Sequence, residues 1–154
     1  MVITKNISGL RPALLSLTCL LALTGCPGSG DRLTPDEEAT VIMMADNVCF
    51  EVQDAGDYQP ADIAINPKGT PYKEQNIILA PALRVTDGKL CVPPSFYTFP
   101  DQGEFIVEYV LTSPQHPDKT RKMVAGLGIS QGHIHSISLT DREIMRPNSE
   151  TGKP

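Results

Sequence analysis

The sequence contains the run Glu104-Phe105-Ile106-Val107-Glu108-Tyr109-Val110-Leu111, in which every odd-numbered residue is apolar. Side chains on a β-strand alternate between its two faces, so this run predicts a long strand with one fully apolar face. Such a face has to be buried against another layer of structure. The run therefore favours a fold made of packed β-sheets.

Shorter strand-like runs occur on both sides of this one. Asp87-Gly88, a dipeptide typical of two-residue hairpin turns, separates two of them. Thr34-Pro35-Asp36-Glu37 has the form of a helix start, but the β-branched residues that follow limit a helix there to one turn. Thr140–Glu143 predicts a closing helical turn. The strand pairs that we expect are residues 41–44 with 48–52, 83–86 with 89–92, and 122–129 with 134–139.

The composition supports the same class of fold. The chain has 14 prolines among its 154 residues, a share well above the usual value of about 5%, and it has no tryptophan. Seven or eight short strands broken by proline and glycine predict an all-β fold, an antiparallel β-sandwich. An immunoglobulin-like arrangement is one form of that fold, and a small β-barrel is the alternative.

The N-terminus has the features of an export signal. Lys5 and Arg11 precede an apolar run over residues 13–23, which is too short to span a membrane and leads into Leu23-Thr24-Gly25-Cys26. These four residues resemble the bacterial lipobox, and the resemblance implies cleavage before Cys26 and a lipid on its sulfur. An ordinary signal with a coincidental cysteine is the alternative.

The lipobox also divides the chain. Pro27 stands where an aspartate would retain a lipoprotein in the inner membrane, so the periplasmic face of the outer membrane is favoured. We therefore expect a periplasmic, lipid-anchored protein. The predicted parts are a cleaved lipoprotein signal peptide (1–25), a lipidated N-terminus and flexible tether (26–33), a single β-sandwich domain (34–145) and a frayed C-terminal tail (146–154).

Two cysteines remain for the folded domain. Cys19 is lost with the signal and Cys26 carries the lipid, so Cys49 and Cys91 are left. Two thiols in an oxidising compartment predict one disulfide. Two buried free thiols are the alternative, and a zinc site is disfavoured because neither cysteine has a CxxC partner.

Two patterns resemble sites of chemistry. Gly128-Ile129-Ser130-Gln131-Gly132 matches the G-x-S-x-G elbow of hydrolases, but a strand-like run follows where a helix is needed, so we interpret it as a hairpin turn. His133 and His135 would share one face of a strand, yet a metal site needs further ligands, for which His116 and scattered carboxylates are the candidates. We therefore predict a protein that is not an enzyme, with no catalytic residue, metal or cofactor.

Charge is distributed unevenly along the chain. The 13 Lys and Arg residues, two of them in the signal, face 18 acids and leave the mature chain at −7, which makes nucleic acid an improbable partner. Residues 31–65 contain nine acids and only one base, Arg32. Such a surface can steer a basic protein partner, and Asp54 and Asp57 are our candidates for that role. A solvated surface that keeps the domain soluble is the alternative.

The segment Pro93–Pro100 holds three aromatic residues between prolines. Rigid aromatic loops suit binding anchors, so Phe96, Tyr97 and Phe99 are candidates for contact with a partner. In an extended segment Tyr97 would point away from Phe96, which makes Tyr97 the preferred exposed anchor. Alternatively, Phe96 and Phe99 plug the end of the sandwich.

Several stretches from Cys26 onward carry a resemblance to a known family: 26–28, 30–33, 35–41, 47–50, 57–63, 93–97, 105–116 and 139–144. Through them the chain resembles a family of enterobacterial periplasmic lipoproteins described as type VI secretion immunity proteins. The resemblance implies that the partner is a periplasmic effector, a toxin, and that the lipid contacts the membrane. It implies no functional residues. A structural or assembly lipoprotein of an envelope machine is the alternative.

The lipobox leads to a first prediction. Cys26→Ala removes the thiol that would receive the lipid, so the protein should accumulate as an unlipidated precursor that keeps residues 1–25. Mass spectrometry of the membrane fraction measures this. Cys19→Ala, which changes a cysteine inside the apolar run, should be processed like the wild type. Acyl chains on the Cys26→Ala protein at the mature mass would contradict the prediction.

Overall fold

The structure, a computed structural model, describes residues 34–146, and its regular secondary structure is almost entirely β-strand, with ten strands. The signal peptide, the tether and most of the predicted tail lie outside the described residues. No helix within residues 34–146 is long and apolar enough to cross a membrane. The strands are β1 (Glu37–Glu38), β2 (Val41–Met44), β3 (Asn47–Glu51), β4 (Gln59–Pro67), β5 (Ile77–Leu79), β6 (Val85–Thr86), β7 (Lys89–Val92), β8 (Gly103–Thr112), β9 (Arg121–Ser130) and β10 (His133–Ser136).

The strands form two sheets, which confirms the predicted sandwich. One sheet has the order β1-β9-β8-β4-β5, with β10 also paired to β9, and the other has the order β2-β3-β7-β6. Every neighbouring pair is antiparallel except β1 with β9. Because these are two separate sheets and not one closed sheet, the small-barrel alternative is wrong.

The strand order is that of an immunoglobulin domain. In chain order, β2-β3-β7-β6 corresponds to the A-B-E-D sheet, and β9-β8-β4-β5 corresponds to G-F-C with an added C′ strand. The disulfide differs from the immunoglobulin pattern, which links the two sheets. Here it joins Cys49 and Cys91, which lie directly opposite each other on neighbouring strands of one sheet.

The core lies between the sheets and is centred on β8. Phe105, Val107, Tyr109 and Leu111 are all buried, as the alternation predicted. The ring of Tyr109 lies 5.9 Å from that of Phe50, which belongs to the opposite sheet. Burial raises the pKa of Tyr109.

The hairpin turns lie where the sequence placed them. β6 and β7 pair across Asp87-Gly88, and both turn residues have positive φ (49° and 69°), as a type I′ turn requires. β2 pairs with β3, and β9 with β10 across Gln131-Gly132. The last strand is shorter than predicted, since β10 ends at Ser136 instead of residue 139.

Three strands were missed. The helical turn expected at Thr34–Glu37 is absent, and Glu37–Glu38 instead pairs in parallel with β9, because hydrogen bonding to an existing sheet outweighs a local capping signal. β4 was overlooked because prolines stand near both of its ends and a bulge interrupts its pairing between Pro60 and Asp62. β5 has three residues, too few for a periodic pattern.

A closing segment, residues 137–146, lies over the outer face of β9. Leu139 and Ile144 form a small buried cluster with Ile106 and Val124. The predicted closing turn is confirmed: the backbone N–H of Thr140 donates to the Glu143 carboxylate at 2.6 Å, and the Thr140 hydroxyl donates to the same oxygen. The N–H of Ile137 donates to the carbonyl of Gly126 at 3.0 Å.

This close approach yields a stability prediction. A Cβ at position 126 would lie 2.7 Å from the Ile137 carbonyl oxygen, a backbone atom, so Gly126→Ala should lower the free energy of unfolding by about 1–3 kcal/mol. At position 128 the nearest atoms belong to the exposed His135 side chain and, at 2.9 Å, to the Ile137 side chain, so side chains and not the backbone would have to move. Gly128→Ala should therefore lower the free energy of unfolding by less than Gly126→Ala does, and urea unfolding of the two variants measures the difference. Equal costs would contradict the packing described here.

Candidate binding surface

The sandwich has two ends of different character. We call one the aromatic pole: the turn at 45–46, the segment 93–102 and the turn at 131–132. The opposite end carries the basal loops, residues 52–58 and 113–120. β9 begins at the basal end, and β1 runs parallel to it, so the chain also enters β1 there.

The aromatic segment is a turn, which corrects the assumption that it is extended. The carbonyl of Pro93 accepts hydrogen bonds from the N–H groups of Phe96 (2.9 Å) and Tyr97 (3.2 Å). Strand alternation therefore does not apply, and Phe96, Tyr97 and Phe99 all pack half-buried against the core. The expectation that Tyr97 is the exposed member was wrong.

The three rings close the end of the core, as the alternative interpretation of Phe96 and Phe99 proposed. Tyr97 and Phe99 pack edge to face with centroids 4.7 Å apart, and Phe99 lies 5.6 Å from Phe105 at the start of β8. The N–H of Gly132 donates to the carbonyl of Asp101 at 3.0 Å, which holds the segment to the β9–β10 turn. The aromatic pole is thus a rigid surface with half-exposed rings.

Asp57 holds the two basal loops together. Its carboxylate accepts a hydrogen bond from the Ser113 hydroxyl (2.6 Å) and another from the backbone N–H of Gln115 (3.1 Å). The Ser113 hydrogen bond holds the pKa of Asp57 below its ordinary value. Asp57 is therefore a structural link between loops, whereas Asp54 is exposed.

Arg121 is a second link at the basal end. Its guanidinium binds the Glu37 carboxylate through two nitrogens and donates to the carbonyls of Gln53 (2.9 Å) and Asp54 (3.2 Å). It also lies 5.3 Å from the centroid of the Tyr58 ring. The hydrogen bond with Glu37 raises the pKa of Arg121. The role of Arg121 was missed in the sequence, because its hydrogen-bond partners are 67 to 84 residues away along the chain.

Bases from the second half of the chain pair with acids of the first half. Asp36 lies 3.6 Å from Lys122, Glu37 pairs with Arg121, and Glu38 lies 3.6 Å from Arg146. Arg146, assigned to the frayed tail, also donates to the Leu139 carbonyl at 3.2 Å. The acidic half is therefore partly neutralised by the fold, and its exposed, unpaired charge is smaller than its composition indicated.

The motifs considered for chemistry lie at the β9–β10 hairpin, where Ser130 stands opposite His133 in the strand register, except for His116. Ser130 is exposed at the end of β9 beside the hairpin turn, which confirms the interpretation of the G-x-S-x-G match. His133 and His135 lie exposed on β10, while His116 belongs to a basal loop at the opposite end. Within residues 34–146, no three His, Cys, Asp or Glu side chains form a group that could hold a metal.

A cleft of about 650 Å³ lies on the outer face of the six-stranded sheet, between the β4–β5 connection and the closing segment. Most of its charged groups already serve the fold. Glu104 lies 3.7 Å from Lys68, Glu108 lies 3.1 Å from Lys122, and Glu143 accepts the hydrogen bonds of Thr140. We therefore place the candidate binding surface at the aromatic pole.

Comparison with known proteins identifies one family. A family model described as a domain of unknown function, DUF7480, matches residues 36–132, more than half of the chain. The match begins just before β1 and ends at the β9–β10 turn. No curated protein and no solved structure matches the chain.

The Asp57 contacts predict a pH-dependent contribution to stability. Because the folded state lowers the pKa of Asp57 below 3.8, the stabilisation is present above that pH and is lost as the pH falls through the lowered pKa. Asp57→Asn should therefore be less stable than the wild type at pH 7, and the difference should shrink in strong acid. Urea unfolding at several pH values measures this.

The matched control is Asp54→Asn, which neutralises an exposed acid on the same loop. No hydrogen bond joins the Asp54 carboxylate to another described residue, so its substitution should change stability little at any of these pH values. A pH-independent difference for Asp57→Asn, or an equal effect of both variants, would contradict the assigned role.

Proposed function

The chain belongs to the DUF7480 family, and we propose that it is a lipid-anchored periplasmic protein that binds a protein partner without catalysis. We further propose that it is an immunity protein that neutralises a type VI secretion antibacterial effector. The lipid on Cys26 would hold it at a membrane, with the outer membrane favoured over the inner.

The anchored, periplasmic part of this proposal draws on two features. The lipobox at Leu23–Cys26 follows an apolar run of export-signal length. The Cys49–Cys91 disulfide fits an oxidising compartment, where such bonds form and persist.

The observation that carries the binding role is the rigid aromatic pole. Preformed aromatic surfaces lose little conformational entropy on binding and bury large apolar area, which are the properties of interface anchors. The pole is also remote from the point where the chain enters the domain: β9 has ten residues and separates the two ends by about 33 Å. An anchored domain would thus keep this end accessible to a partner.

The immunity role is supported by this geometry together with the resemblance of the sequence to the enterobacterial periplasmic lipoproteins. Neutralising a toxin requires a specific contact surface, commonly about 800 Å² on each partner, and a location where the toxin arrives. A lipid-anchored sandwich with one exposed, rigid pole would meet both requirements.

A competition experiment tests the immunity role. Cells lacking this protein should survive poorly beside a sister strain with an active type VI system, and a plasmid copy of the full chain should restore survival. The matched attacker, with an inactivated secretion system, should leave all recipients alive. Equal survival with and without the protein beside the active attacker would overturn the immunity role and favour the structural-lipoprotein alternative.

A further inference from the structure

A small pocket opens at the aromatic pole between the β2–β3 hairpin and the aromatic segment. Its volume is about 170 Å³, which is below the size of typical small-molecule sites. An apolar cavity of about 150 Å³ is large enough for a benzene ring. The pocket therefore has room for one apolar side chain. Its apolar walls include Met43, Val48, Val92, Tyr97, Phe99 and Ile134.

The charge around this pocket is of one sign. Asp46 and Asp101 line it, and within residues 34–146 no Lys or Arg does. Among the described residues, neither acid forms an ion pair with a basic side chain, whereas Asp36, Glu37 and Glu38 near the basal end are all paired. The fold thus leaves negative charge uncompensated beside the apolar pocket, and a complementary partner carries positive charge there.

The wall formed by β2 is accessible and adaptable. Met43 and Met44 are neighbours on this strand and are equally exposed, at 46% and 47%. Adjacent residues of a strand point to opposite faces, and only Met43 lines the pocket. Methionine is flexible and polarisable, so it can adjust to an inserted group.

We propose that this pocket receives one apolar side chain, aliphatic or aromatic, of a basic protein segment, and that Lys or Arg residues flanking that side chain pair with Asp46 and Asp101. This proposal rests on the binding role proposed above, and it places the partner contact at this pocket. It also replaces the earlier candidates Asp54 and Asp57, which lie on a basal loop, with Asp46 and Asp101 as the acids that a partner meets.

Short peptides provide the probe. The first is a five-residue peptide, blocked at both ends, with one leucine between two lysines. In the second peptide serine replaces the leucine. In the third peptide glutamates replace the lysines. Each is mixed with the full chain, processed in cells and purified in detergent, and saturation-transfer NMR measures contact with the protein. We expect strong transfer to the leucine methyl groups of the first peptide and weak transfer to the other two.

Two variants locate the contact. Met43→Lys places a charge in the pocket wall and should reduce transfer to the leucine methyl groups roughly fivefold or more. Met44→Lys adds the same charge at an equally exposed position on the opposite face of the strand and should leave transfer nearly unchanged. Equal effects of the two variants would overturn the pocket as the binding site.

A second pair of variants tests the acidic rim. The double variant Asp46→Asn, Asp101→Asn should weaken binding of the lysine peptide and reduce its dependence on salt. The control, Asp54→Asn with Asp87→Asn, removes the same charge from two exposed acids near the basal end and should change neither. Unchanged salt dependence in the rim variant would overturn the role of the two acids.

The outcomes separate this inference from the immunity role. If the peptides bind as expected but the protein gives no protection in competition, the pocket stands and the immunity role fails. If the protein protects cells while the serine peptide matches the leucine peptide, the immunity role stands and the pocket fails.

Discussion

The contact between the apolar face of β8 and the opposite sheet is the constraint on which the structure depends. Tyr109 meets Phe50 across the core, and both side chains are fully buried. Because β8 has ten residues, the same strand reaches from the aromatic pole to the basal loops. Burying one face of it therefore fixes where both ends of the sandwich lie, and with them the positions of the candidate partner-binding residues.

Polar contacts then decide which acids of the folded domain are paired. Arg121 and Asp57 tie loops together at the basal end, and three acids near the start of β1 are paired with bases. Asp46 and Asp101, beside the pocket, have no basic partner among residues 34–146. The charge available to a protein partner is therefore set by which bases the fold brings close, a long-range property that a count of acids along the chain does not contain.

The sequence predicted features that local chemistry determines. Alternation located β8, Asp87-Gly88 located a hairpin, and Thr140–Glu143 located the closing turn. Features that depend on distant contacts were missed: β1 forms only because β9 offers it an edge, and Asp57 faces Ser113 only after the sheets assemble. Tyr97 was misplaced because a turn based on Pro93 replaces the assumed extended backbone. The pocket combines residues from three segments, so no local pattern could indicate it.

The disulfide connects the predicted compartment to the proposed binding surface. Val48 faces Val92 in the strand register next to the Cys49–Cys91 pair, and both valines line the pocket. Since Val48 and Phe50 point into the core, Cys49 points to the outer face of the same sheet, so the bond ties β3 to β7 without occupying the pocket. Pro93, which begins the aromatic turn, follows Val92 directly. The disulfide, a bond that forms in an oxidising compartment, thus fixes β3 and β7, which carry one wall of the pocket and the start of its aromatic wall. This bond is the physical link between the compartment where the protein is proposed to work and the partner that it is proposed to bind.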